Sequence, residues 1–321
     1  MTGSTSLQPA LSSPTGPVTP GRGEQKTLTS ITSTNLQIVP PAAALRDRAV
    51  LVRMDASHAG RVSALEDVEL RLGRHQNNGI VLEDDGISRV HARIYKQGET
   101  YFIEDLRSSN GTYLNGERID SAELVDGALV QLGPRVHFRF SILDQNQERM
   151  LRQLYESSVR DALTGAYNRG YFMERLAGEL AFATRHEVDV SVLLFDIDHF
   201  KKINDTFGHP VGDAVLRQLA QTVQRVLRTE DVFARYGGEE FIVLLRATAI
   251  DGAARAAERL RAAVQAAGAD YEGRRIDATV SVGCASLFGC DKRPADALIA
   301  AADRRLYAAK ATGRNRIVAT D

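Results

Sequence analysis

The chain has 321 residues and a formal net charge of −1, from 40 Lys and Arg against 41 Asp and Glu. That balance leaves no basic footprint for nonspecific nucleic-acid binding, and the length fits two domains plus a tail. No apolar run of about 18 residues and no basic-then-apolar leader is present, so a soluble cytoplasmic protein without a membrane span is expected.

Residues 1–45 hold six of the nine prolines, many serines and threonines, and little periodic apolar character. Such a segment buries too little surface to offset its ordering entropy, so a disordered tail is expected. Short alternating segments follow, with Val90–Tyr95 and Thr100–Glu104 as strands, and they predict an all-β sandwich. Among them stand Leu72-Gly-Arg74, Gly86-Ile-Ser-Arg-Val-His-Ala92, Asp105-Leu-Arg-Ser-Ser-Asn-Gly-Thr112 and Asn115-Gly116, in that order. The ordered quartet resembles a forkhead-associated (FHA) domain, a phosphothreonine-binding β-sandwich, over residues 48–143.

By that resemblance Arg74, Ser88, Arg89, Ser109 and Asn110 line a phosphopeptide site, while His91 and Asn115 brace loops. Arginines suit a phosphate dianion through charge-assisted hydrogen bonds, and serine and asparagine supply neutral donors. A sandwich serving only for docking or dimerisation is the competing reading. The tail then gains a second reading beside that of a plain linker: Thr27, Thr29 or Thr32, once phosphorylated, docks on the FHA domain of its own or a partner chain, helped by tethering.

Residues 144–158 read as one polar linker helix carrying Leu143, Met150, Leu154 and Tyr155 on a partial stripe, too short for a coiled coil. Beyond it, helical stretches at 212–228, 249–267 and 295–311 alternate with apolar runs of strand length. Val190–Phe195 is such a run and ends at Asp196, within Asp196-Ile-Asp-His-Phe-Lys-Lys-Ile-Asn-Asp205. In Arg235-Tyr-Gly-Gly-Glu-Glu-Phe241 two glycines suit a tight turn, and two acids follow before the strand Phe241–Leu245. Acids from adjacent strand ends suit a hard, oxygen-seeking cation.

With Asp161-Ala-Leu-Thr-Gly165, Asn168-Arg169, Phe207-Gly-His-Pro-Val-Gly-Asp213 and Leu306-Tyr-Ala-Ala-Lys310 ahead of Gly313-Arg-Asn-Arg316, these runs resemble a GGDEF domain, the catalytic domain of diguanylate cyclases. The resemblance covers about half of the chain, residues 159–321. It implies an α+β fold with a mainly antiparallel sheet flanked by helices, related to nucleotide cyclases and polymerase palms. It also implies condensation of two GTP into cyclic di-GMP and pyrophosphate, on a homodimer in which each domain brings one GTP.

The same resemblance assigns roles. Asp196, the Ile197 carbonyl, Glu239 and Glu240 match metal ligands for two Mg²⁺ per site, with Mn²⁺ as a substitute. Glu240 also matches the group that takes the 3′-hydroxyl proton, and Lys201 one that offsets transition-state charge. Asn204 and Asp213 match guanine readers, His209 a further nucleotide contact, and Lys310 and Arg314 phosphate contacts, set on one face if their helix reaches that far. Arg228 and Asp231, joined by Arg255 and Arg259 one turn apart, match a product-inhibition site for cyclic di-GMP.

Each assignment has a plainer competitor: a polar loop for His209, cations at a helix C-terminus for Lys310 and Arg314, a helix-end ion pair for Arg228 with Asp231, and a solvated basic face for Arg255 with Arg259. Cys284 and Cys290 lack a zinc pattern and read as reduced core or loop residues. The alternative for the whole chain is a non-catalytic cyclic di-GMP receptor or an FHA scaffold with a degenerate cyclase domain. Intact acids at 196, 239 and 240 weigh against it.

Overall fold

The structure is a computed structural model and describes residues 45–55, 59–66, 69–289 and 295–320. The tail with Thr27, Thr29 and Thr32, and Cys290, lie outside the described residues. Among the described residues no helix is long and apolar enough to cross a membrane.

The first eleven strands form a sandwich. One sheet has the order β2-β1-β11-β10-β7-β8 and the other β4-β3-β5-β6-β9. The strands are β1 (Arg48–Arg53), β2 (Val62–Ala64), β3 (Glu69–Gly73), β4 (Ile80–Val81), β5 (Ala92–Gln97), β6 (Thr100–Asp105), β7 (Thr112–Leu114), β8 (Glu117–Ile119), β9 (Ser121–Leu124), β10 (Leu129–Leu132) and β11 (Val136–Leu143). Alternation sends Leu72, Ile94, Ile103, Val130, Leu132, Phe138 and Phe140 into the core between the sheets. β1 pairs with β11 along its whole length, from Arg48 opposite Leu143 to Arg53 opposite Phe138. The expected strand Val90–Tyr95 begins two residues later, because the His91 ring turns inward to brace the preceding loop.

Helix α1 (Gln145–Val159) starts at the Asp144 capping box with Gln147, which satisfies exposed N–H groups of its first turn. Its packed face differs from the expected stripe. Leu151 packs on Val50, Val62 and Leu143, and the Tyr155 ring lies over Gly60, while Met150 and Leu154 are exposed.

The second sheet has the order β12-β14-β15-β13-β18-β19, with only its outer pairs, β12–β14 and β18–β19, parallel. These are β12 (Tyr167–Asn168), β13 (Ser191–Ile197), β14 (Val232–Arg235), β15 (Glu240–Leu245), β18 (Val280–Ser286) and β19 (Ile317–Val318); β16 (Ala269–Tyr271) and β17 (Arg274–Ile276) make a separate hairpin. Helices α2 (Arg169–His186) and α6 (Ala295–Ala311) cover one face, and α3 (Phe200–Phe207), α4 (His209–Val226) and α5 (Ile250–Ala267) the other.

Strands buried on both faces carry apolar side chains at every position. In β13, Leu193, Phe195 and Ile197 face α3–α5, and Val192 and Leu194 face α2 and α6. Phe195, Phe233 and Phe241 stack on the first of these faces with centroids 5.5–6.3 Å apart. On the other face α6 lies directly on the sheet: a Cβ at Gly283 would sit 2.0 Å from the Ala302 carbonyl oxygen.

Candidate active site and regulatory sites

Asp196 near the end of β13 stands opposite Glu240 at the start of β15. Both share the parity of Leu194 and Ile242, so their side chains lie on the face covered by α6. That helix delivers Lys310, whose Nζ is 2.9 Å from Asp196 Oδ2. Asp196 is 5% exposed, and burial first, then the charges of Glu240 and Asp198, raise its carboxyl above the usual carboxylate value despite the lysine. Glu239 is raised too, by burial and then by Asp196.

The loop from Tyr236 to Glu239 is longer than the tight glycine turn expected, and neither Gly237 nor Gly238 takes a positive φ. It closes through the Tyr236 and Gly237 N–H groups, both donating to the Glu240 carbonyl at 2.8 and 3.2 Å. Arg235 holds it from outside: Nε and Nη2 donate to the Gly238 carbonyl, and Nη1 donates to both carboxylate oxygens of Asp161 at 3.1 Å. Asp161 Oδ1 also accepts from the Thr164 N–H and hydroxyl. The Asp161–Gly165 turn therefore positions the acidic loop.

Asp198 was not singled out by the sequence, although it lies two residues from Asp196. It is buried and accepts from the hydroxyls of Thr279 and Ser281 and from the Asn315 N–H at 2.7–2.9 Å. It ties the end of β13 to the segment after α6.

The run Phe207–Asp213 is a helix corner. Gly208, at φ +85°, is the junction between α3 and α4, and His209 opens α4 with Pro210 in the first turn. Asn204 on α3 packs against α4 at this corner beside Gly212, the neighbour of Asp213: a Cβ at Gly212 would lie 1.9 Å from Asn204 Oδ1. That oxygen is buried and accepts no hydrogen bond. Lys201 and His209 are exposed.

Arg314 departs from the helical reading. Helix α6 stops at Ala311, and Gly313 and Arg314 take φ of +126° and +60°, with the Arg314 N–H reaching back to the Ala309 carbonyl at 3.0 Å. A left-handed stop of this kind satisfies the last carbonyls. Lys310 and Arg314 consequently do not share a helix face.

Arg228, Asp231, Arg255 and Arg259 line one small cavity with Thr248 and Gly252. Asp231 Oδ2 accepts from the Arg228 N–H at 3.0 Å, and its buried Oδ1 is unpartnered. Burial first, and then Glu230 beside it, raise its carboxyl. The plain helix-end pair is thus made through the backbone of Arg228, and its guanidinium is left for the cavity.

In the sandwich, Arg74, Ser88, Arg89, Ser109 and Asn110 line one open pocket with Asp85 and Gly86. The Ser109 N–H donates to Ser88 Oγ at 3.0 Å, and Asn110 Nδ2 donates to the Gly86 carbonyl at 2.9 Å. His91 Nδ1 accepts from the Ser88 N–H and Nε2 faces the Gly111 carbonyl, so the ring is neutral with Nε2 protonated; burial lowers its pKa accordingly. Asn115 Oδ1 accepts from the Leu129 N–H. Asn78, unforeseen, donates Nδ2 to the carbonyls of His75 and Arg89 at 2.7 Å and joins the two arginine-bearing loops.

Paired strand-end carboxylates beside a lysine, on a mainly antiparallel sheet covered by helices, make this an α+β domain with an acidic site at one sheet end. Residues 158–316 match the family described as diguanylate cyclase, GGDEF domain, and residues 70–133 match the FHA domain. The chain carries a GGDEF domain over residues 158–316 and an FHA domain ahead of it over residues 70–133.

It is 37% identical over 209 residues to diguanylate cyclase DgcP of Pseudomonas aeruginosa, covering 63% of this chain and 30% of that protein. It is 44% identical over 167 residues to response regulator PleD of Caulobacter vibrioides, covering 51% of this chain and 36% of that one. The chain therefore spans well under half the length of these curated relatives. A solved structure of the coiled coil and GGDEF domain of DgcB from Caulobacter crescentus, in complex with c-di-GMP, is 32% identical over 55% of this chain and 93% of that chain, with a TM-score of 0.49.

Proposed function

We propose that the chain is a diguanylate cyclase, joining two GTP into cyclic di-GMP and pyrophosphate as a homodimer. The observation that carries this reading is the Asp196–Glu240 pair with Glu239 and Lys310 at one sheet end. Three carboxylates against one ammonium leave an excess of negative charge, which adds to burial in raising the carboxyls of Asp196 and Glu239. Their oxygens and the Ile197 carbonyl fit Mg²⁺ in type, with Mn²⁺ as a substitute.

Among the described residues, no three Asp, Glu, His or Cys side chains stand close enough to hold a metal unaided. Mg²⁺ commonly takes one or two carboxylates and completes its shell with substrate phosphates and water. When bound, the metals supply charge neutralisation at the transferring phosphate. Glu240 takes the proton of the attacking 3′-hydroxyl. Lys310 moves from Asp196 onto phosphate, and Lys201 and Arg314 add positive charge there. The free Asn204 oxygen accepts from a guanine N–H donor while Asp213 takes another, which selects guanine over adenine; His209 lies at the same corner.

Two regulatory sites belong to this reading. Cyclic di-GMP binds Arg228, Asp231, Arg255 and Arg259 as an inhibitor, and a phosphothreonine peptide, from the tail or a partner, binds the FHA pocket. Incubation with GTP and Mg²⁺ followed by chromatography tests the activity: product is expected from the parent and a loss of at least ~100-fold from Glu240→Gln. No product in any phosphorylation state would overturn the cyclase. Arg228→Ala should keep the initial rate while product accumulates past the level at which the parent stalls.

A further inference from the structure

Asp85 carries two arginines at once. Its Oδ1 lies 3.3 Å from Arg74 Nη1 within the FHA pocket, and its Oδ2 is ion-paired with Nη1 of Arg185, from the last turn of α2 in the GGDEF domain. All three side chains are between a third and just over half exposed, so none is locked in a dry core. The backbone around Asp85 is held separately. Asp84 accepts from Arg135 and from the Gly86 N–H, and the Gly86 carbonyl accepts from Asn110.

Neighbouring Glu83 clamps the domains together by accepting from Arg175 and Arg246 at 3.2 Å, and both of these also reach the buried Glu179. The approach of Arg185 to the pocket therefore does not depend on Asp85 alone. A carboxylate whose two oxygens each hold one guanidinium imitates two oxygens of a phosphate monoester. Phosphate carries more charge and one more acceptor oxygen, so it competes well for the same pair.

We propose that the phosphopeptide site is shared between the two domains: Arg185 of the GGDEF domain binds the phosphothreonine phosphate together with Arg74, and Asp85 holds their place until the peptide arrives. The inference rests on the phosphothreonine reading of the FHA pocket and adds a cyclase-domain residue to it. Binding of a dianion in place of a monoanion tightens the contact between the domains. By linkage, whatever loosens that contact weakens peptide binding equally.

The test uses the whole phosphatase-treated chain and a fluorescent pool of peptides with a fixed phosphothreonine and randomised flanks. The parent should bind the phosphorylated pool and not its unphosphorylated counterpart, and Arg74→Ala should abolish binding. Failure of either sinks the FHA reading, and the inference with it. Given that binding, Arg185→Ala should weaken it by about five- to tenfold at low salt, with the difference shrinking at high salt. Arg185→Lys should recover part of the loss, and Asp85→Asn should tighten binding by removing the internal competitor. Unfolding midpoints equal to the parent's keep misfolding out of the comparison. An Arg185→Ala affinity equal to the parent's would overturn the shared site while leaving the FHA reading intact.

Discussion

Asp196 and Glu239 connect burial to pH dependence. Both carboxyls are raised in the fold, so the metal-free domain binds protons there more tightly than the unfolded chain does. Their contribution to stability is therefore fullest below the unfolded values, near 3.8 and 4.5, and is lost as the pH rises through the folded values. The proposed activity runs the other way, since metal needs the deprotonated acids. The acid limb of the pH–rate profile should move to lower pH as Mg²⁺ is raised. An acid limb indifferent to Mg²⁺ would argue that these groups do not bind it. Asn204 gives a second residue-scale expectation from its free buried oxygen. Asn204→Ala should lower kcat/KM for GTP by ~10–100-fold, while nucleotide-free stability shifts by less than about 1 kcal/mol, because no protein hydrogen bond to that oxygen is lost.

At the scale of elements, the seating of α6 on β18 decides where Lys310 arrives. Gly283 permits backbone contact with Ala302 and Leu306, and buried Arg305 donates to the Cys284 carbonyl at 2.8 Å, fixing the helix along the strand. Gly283→Ala should destabilise the domain by about 2–3 kcal/mol in urea unfolding, since backbone on the facing helix cannot yield as a side chain would. Helices at 249–267 and 295–311 were legible almost to the residue from their apolar spacing. Two pieces were not. The helix expected at 212–228 starts three residues earlier, at His209: Gly-His-Pro is turn chemistry, yet Pro210 lies in the first turn of α4, where its missing N–H costs nothing. The packed face of α1 was misjudged because its choice between Leu151 and Leu154 depends on β1 and β2, which no local period encodes.

At the scale of the whole molecule, the FHA and GGDEF domains meet through charge. Glu83 is the hinge of that contact: burial pushes its carboxyl up, but Arg175 and Arg246 overcome this and hold it below the usual value. Glu83→Gln should weaken docking by up to about 1 kcal/mol, read as a larger radius of gyration in solution scattering and faster cleavage of the α1 segment. The same contact should weaken in high salt, because its members are partly exposed.

Sequence alone determined the domain order and the α+β and sandwich classes, and it pointed to the expected residues of each candidate site but not to Asn78, Asp85, Arg185 or Asp198. Turn residues, two- and 3.6-residue periods and short charged motifs are local, so they survive in one dimension. Tertiary structure alone decided that Lys310 rests on Asp196, that Arg235 and Asp161 hold the acidic loop, and that Arg314 leaves the helix line. It also decided that Asp85 faces an arginine of the other domain. Those pairings join residues far apart in the chain, and only the packing of sheet, helix and sandwich brings their charges within reach.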